Sequence, residues 1–181
     1  CSTAWKITMP NTQIDYSELS VSADYERVVA KYRPIFKKIA EGTLQRETEI
    51  ILPFEPIHWL RQAGFGAVRV PVKYGGDGLS LPQLFKLLIE LAKADSNIVQ
   101  ALRGHFAFVE DRLIAHRDQN QQLWFNRFVQ GDLVGNAWTE VGSVKIGEVV
   151  TRVTRSAQGQ LEVNGSKYYS TGSIFADWID L

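Results

Sequence analysis

Apolar residues recur at helical spacing up to about residue 130, and after Gly131 they give way to short β-prone runs. This change of period constrains the chain more than any other feature, because it calls for a helical unit followed by strands, an α+β layout. From about Ala23 to Glu47, the residues Tyr25, Val28, Val29, Tyr32, Phe36 and Ile39 keep a helical period. Pro34 should kink or split that helix, because it lacks an N–H and its ring crowds the preceding turn. A short helix from Glu55 should stop at Gly64. Phe65 to Gly78, with Pro71 and three glycines at 75, 76 and 78, reads as a structured loop. Ser80 is a predicted N-cap with Pro82 in the first turn. Leu84, Leu87, Leu88 and Leu91 then line one helix face. Further helices are expected from about Ser96 to His116 and from Asp118 to Gln130.

Beyond Gly131, Val149 to Thr154 is β-prone. Leu161-Glu162-Val163 and Lys167-Tyr168-Tyr169 flank Asn164-Gly165, a strong hairpin-turn signal. Ala176 to Leu181 reads as another strand. The reading divides the chain into a helical domain, residues 1–131, and the start of a β-sandwich or barrel, residues 132–181. A sheet that ends on an unpaired apolar strand leaves exposed edges. The sequence therefore reads as an N-terminal fragment of a longer protein, or as a chain completed by others.

Charge excludes several partner classes. Twenty acidic and twenty basic residues cancel, which argues against nucleic acid or an anionic membrane as the main partner. No apolar run approaches a membrane span, and the N-terminus lacks the basic and apolar regions of a signal peptide. Cys1 is the only cysteine. A disulfide framework and a cysteine-based zinc site within the chain are thereby excluded, and a reducing cytoplasm fits. No His/Asp/Glu spacing suggests a metal. Met9 is the only methionine, so residues 1–8 read either as upstream of a start or as sequence added to the natural chain.

Two segments, Gly135-Asn136-Ala137-Trp138-Thr139-Glu140 and Lys167-Tyr168-Tyr169-Ser170-Thr171-Gly172, set hydroxyl and amide side chains beside aromatic ones on short strands. Such a mixture suits a flat heteroaromatic ring, which needs a stacking partner and fixed hydrogen bonds at its rim. Each residue also has a plainer reading. Thr139 suits ordinary cross-strand pairing, Asn136 a turn cap, Trp138 and Tyr169 core packing, and Thr171 a turn position before Gly172. His105, with Ala101 and Val109 four residues to either side, lies on the apolar stripe of its helix. That is the usual place of a satisfied core histidine, yet its titration near neutrality also suits proton exchange in catalysis. His58 and His116 read as surface or helix-end residues without evident partners.

Leu60 to Pro71 leading into Tyr74-Gly75-Gly76-Asp77-Gly78-Leu79-Ser80, the Trp138-Thr139-Glu140 strand, Val163 to Gly172, and Ala176-Asp177-Trp178 resemble, in order and spacing, segments of the acyl-CoA dehydrogenase superfamily. The resemblance covers residues 50–181. It implies a helical N-terminal domain, a central β-domain and a C-terminal four-helix domain, of which this sequence contains the first and part of the second. In the dehydrogenases the C-terminal domain supplies the carboxylate base.

The resemblance assigns flavin contacts to Asn136, Trp138, Thr139, Ser143, Tyr169, Ser170 and Thr171, with Tyr169 where the family commonly packs a tryptophan on the isoalloxazine. One departure stands out. After Thr139-Glu140 the chain reads Val141-Gly142-Ser143-Val144-Lys145, a shorter loop without the family's proline and aspartate, which weighs against CoA-thioester and FAD pyrophosphate binding. Gly-Asn-Ala-Trp-Thr-Glu and Arg103-Gly104-His105 are closer to the branch that oxidises sulfur compounds with reduced flavin mononucleotide. That branch implies a catalytic His105 at the flavin's reactive edge.

The expected function is a flavin-dependent oxidoreductase using FMN or FAD. It takes a small-molecule substrate and acts as a reduced-flavin monooxygenase supplied by a flavin reductase or, alternatively, as an acyl-CoA dehydrogenase. The resemblance implies a homotetramer, and the single cysteine fits the cytoplasm. The competing reading is a non-catalytic fragment or subunit whose helices serve assembly.

Overall fold

The structure, a computed structural model, describes residues 24–140 and 149–181. Six helices come first: α1 Tyr25–Val29, α2 Arg33–Glu49, α3 Phe54–Gln62, α4 Leu81–Ala94, α5 Ser96–Ala115 and α6 Gln122–Gln130. Four short strands follow: β1 Val134–Asn136, β2 Arg152–Arg155, β3 Leu161–Asn164 and β4 Trp178–Asp180. The α+β order expected from the change of period is the observed one.

Local chemistry sets most boundaries. Pro34 splits the first predicted helix, and α2 starts with it in the first turn, where the missing N–H costs nothing. Gly64, in the left-handed region, ends α3. Ser80 forms a capping box with Gln83, whose side chain returns to the Ser80 N–H at 2.8 Å. The Phe65–Gly78 loop holds two 3-10 turns. Asp95 serves two helices at once. It ends α4 and caps α5 by accepting from Asn97 N–H at 3.0 Å, while Arg46 of α2 reaches its other oxygen at 2.9 Å.

Two boundaries differ from expectation. Helix α6 begins at Gln122 rather than Asp118, because Asn120 and His116 side chains take the N–H groups of Gln122 and Gln121 at 2.9 and 3.0 Å. These local bonds compete with helix formation, and they give His116 partners that its sequence context did not suggest. The Asn164-Gly165 hairpin does not form. Instead β2 and β3 pair antiparallel, with Arg152 opposite Asn164, through a turn at residues 156–160 closed by Ser156 N–H to Gln160 O at 2.8 Å.

The core is helical and divides into two clusters. Leu84, Leu87 and Leu91 of α4 bury against α2 and α5 in the first, with Ile98, Leu102 and Phe106. Each such leucine contributes roughly 1.5–3 kcal/mol. Phe108, Val109, Phe125 and Phe128 form the second. Strand β1 is embedded beside both, because Leu133 joins the first cluster and Val134 the second. β1 pairs in parallel with β4, Val134 opposite Trp178 and Asn136 opposite Asp180. Arg61 of α3 clasps Asp177 at 2.8 Å, and Asp177 in turn accepts Leu133 N–H at 2.9 Å. The entry of β4 is thereby tied to the helices. Among the described residues, no helix is long and apolar enough to cross a membrane.

Candidate flavin-binding face

Strand β1 lies between two partners. On one edge is β4. On the other is the segment 168–173, which keeps one antiparallel register with it: Asn136 N–H donates to Thr171 O at 3.4 Å, and Tyr168 N–H donates to Thr139 O at 2.8 Å. The Ser173 hydroxyl adds a bond to Asn136 O at 3.3 Å. This register sets the two sequence segments singled out for a heteroaromatic ring side by side. Lys167 to Tyr169 therefore pairs with Thr139 and not, as expected, with Leu161 to Val163.

Helix α5 supports the face from behind. A β-carbon at Gly104 would stand 2.7 Å from Asn136 Oδ1, so the missing side chain lets the Asn136 amide lie against the helix. Mid-helix glycine costs roughly 0.5–1 kcal/mol relative to alanine, and this close approach is its structural reason. Asn136 is buried, and its Oδ1 has no hydrogen-bond partner. An orphaned buried acceptor costs about 1–3 kcal/mol and calls for an explanation.

The other predicted contacts differ in exposure. Thr139 and Ser170 are exposed, and Thr171 is half-buried with its Oγ1 accepting from Arg103 at 3.3 Å. Tyr169 is 77% exposed and has a φ of 58°. A left-handed tyrosine is strained, and such residues cluster at functional sites. Trp138 is not core. It is half-exposed, and its Nε1 donates to Asp180 at 2.8 Å. Ser143 lies outside the described residues.

Glu140 has a structural task that sequence reasoning missed. It accepts from Lys167 Nζ at 2.8 Å and from the N–H groups of Val150 and Thr151 at 2.6 and 3.0 Å. These bonds, that of Lys167 foremost, push its carboxyl down to about 2. The carboxylate fastens the strand end at Thr139 to both flanking segments.

His105, expected at the flavin's reactive edge, has a well-defined structural setting. The ring is fully buried on α5. Its Nδ1 accepts Val134 N–H at 3.2 Å, which leaves Nε2 as the protonated nitrogen, donating to Gly66 O at 2.9 Å. Burial pushes its pKa down to about 4, with the Gly66 bond pulling weakly the other way. Both ring nitrogens are thus committed to backbone. The histidine positions β1 by joining α5, the loop at Gly66 and Val134.

Two clefts, of about 340 and 430 Å³, open on either side of Phe175. None of the predicted flavin contacts lines them. Among the described residues, no group of histidine, cysteine and carboxylate side chains could hold a metal ion.

Residues 25–132 match the family described as the acyl-CoA dehydrogenase N-terminal domain. The chain belongs to the acyl-CoA dehydrogenase family. Solved structures share the fold over more of the chain. FMN-bound TdsC from Paenibacillus sp. A11-2 is 24% identical with a TM-score of 0.71, over 84% of this chain and 38% of that one. Its complex with FMN and indole is 25% identical with a TM-score of 0.68, over 85% of this chain and 38% of that one. A nitrososynthase from Micromonospora carbonacea var. africana is 19% identical with a TM-score of 0.69, over 83% of this chain and 40% of that one. This acyl-CoA dehydrogenase family chain thus spans about two-fifths of the length of the structures it matches. No curated protein matches it.

Proposed function

We propose that this chain carries the ring-gripping face of a reduced-flavin-dependent monooxygenase acting on a small organic, sulfur-containing compound. The observation that carries the reading is the register of β1 against residues 168–173, which leaves a buried Asn136 acceptor without a partner beside Thr171. The residues fit a flavin. Its ring has a polar rim that Asn136, Thr139 and Thr171 can bond and an apolar face that Tyr169 can cover. Ser170 and Trp138 border that face, and Ser143 completes the set by family resemblance. The likeness in fold to FMN-bound TdsC supports FMN over FAD.

Bound reduced flavin supplies the electrons that activate dioxygen for transfer of one oxygen atom to the substrate. This chain's residues supply the setting. Thr139 and Thr171 offer donors where negative charge builds on reduction. Glu140 holds the backbone of Thr139 in place, and Gly104 lets Asn136 stay flat against α5. A flavin reductase as electron source and a homotetrameric assembly belong to the same proposal.

Anaerobic titration separates this reading from its rival. Acyl-CoA should leave the flavin's visible absorbance unbleached, and product should form only when externally reduced FMN and oxygen are both supplied. Bleaching by an acyl-CoA would instead identify an FAD-dependent dehydrogenase.

A further inference from the structure

Arg103 sits on the exposed side of α5, next to the glycine that accommodates Asn136. Its Nη2 donates to Thr171 Oγ1 at 3.3 Å, and among the described residues it has no carboxylate partner. A threonine hydroxyl has one hydrogen. With its oxygen accepting from a guanidinium, Thr171 must direct its own O–H elsewhere, and no acceptor among the described residues takes it. The hydroxyl is thus a donor left free and strengthened by an adjacent positive charge.

We infer that Arg103 is a positioning residue that acts through Thr171, biasing the face toward reduced over oxidised flavin. This rests on the flavin reading above. The physical reason is differential. Both redox forms can accept a hydrogen bond at the ring edge, but the form with extra negative charge gains more from a charge-reinforced donor. A site built this way would capture flavin already reduced elsewhere, in keeping with supply by a separate reductase.

The test compares dissociation constants for oxidised FMN and for dithionite-reduced FMN under anaerobic conditions. For Arg103→Ala the preference for the reduced form should fall by about tenfold, the scale of a hydrogen bond to a charged group. Arg103→Lys should retain most of it. In a Thr171→Val background, adding Arg103→Ala should change the preference by less than about twofold, because the coupling partner is gone. Arg152→Ala, which removes a solvent-exposed cation from β2, controls for net charge and should leave the preference alone.

An unchanged preference in Arg103→Ala overturns the inference. So does equal weakening of both forms, or an undiminished Arg103→Ala effect without the Thr171 hydroxyl. A change confined to the KM of an anionic substrate would make Arg103 a substrate contact instead, and also overturns it. Uptake of neither redox form by the wild-type chain defeats the flavin reading itself, which distinguishes the two failures.

Discussion

Alanine at position 105 is expected to cost the fold about 3–5 kcal/mol, the range for removing a large buried ring. The loss has three parts. The ring packs edge-on against Phe106 of the first core cluster and Phe128 of the second, each at 5.3 Å. Its removal opens a cavity between the clusters. It also leaves Gly66 C=O and Val134 N–H without their partner, which places the cost toward the upper end of that range. Denaturant unfolding of His105→Ala beside wild type measures the total.

Acid adds a second signature. The folded-state pKa of His105 is about 4, below its usual 6.5, so the unfolded chain binds the extra proton first as pH falls. Stability from this residue is therefore complete above about pH 6.5. It declines by about 3 kcal/mol on the way to pH 4, since each pKa unit corresponds to about 1.4 kcal/mol. Glu140, whose folded pKa is lowered from 4.5 to about 2, adds a loss in the more acidic window between those values. His105→Gln, which cannot titrate, should flatten the first window and leave the second. A small stability loss in His105→Ala, or an unaltered pH profile in His105→Gln, would contradict this structural role.

Gly172→Ala should be the most damaging small change on the candidate face. The residue has a φ of +79°, and a β-carbon there would stand 2.1 Å from the carbonyl oxygen of Ala101 on α5. The obstacle is helix backbone, which cannot swing aside, so the segment 168–173 must lift off α5. Left-handed backbone alone costs an alanine about 1–2 kcal/mol. The displacement should bring the total above about 3 kcal/mol, with loss of flavin binding. Gly159→Ala calibrates the result, because its φ is +82° and nothing lies within 4 Å. It should show the backbone penalty alone. Equal losses for the two variants, by thermal or denaturant unfolding, would mean that the contact between residue 172 and α5 is not tight.

The helices were legible because their signals are local. The leucine stripe of α4, the Ser80 cap and the break at Pro34 need only neighbouring residues to be recognised. The start of α6 escaped because Asn120 and His116 claim backbone donors that would otherwise begin the helix. The hairpin was misplaced because Asn164-Gly165 carries the stronger turn signal, although the pairing of Arg152 with Asn164 leaves that dipeptide at a strand end.

At the candidate face, family resemblance picked out Asn136, Thr139, Tyr169 and Thr171, and the register of β1 brings their segments together. The place of His105 was only half legible, because helical periodicity puts a satisfied core histidine and a catalytic one on the same stripe. Its partners, Gly66 and Val134, lie 39 and 29 residues away. Glu140 and Arg103 were read without roles for the same reason, since their partners lie 27 and 68 residues away.

The most direct test of the flavin face is titration of the chain with FMN and with FAD, comparing wild type and Asn136→Leu. Leucine is close in shape and removes the orphaned acceptor, so the unfolding midpoint should hold or rise. Flavin affinity should nevertheless fall by about tenfold or more, the value of a buried hydrogen bond withdrawn from a ligand. Saturable flavin uptake by wild type, with that loss in the variant, is the predicted result. Uptake of neither flavin, or equal affinity in both proteins, would contradict it.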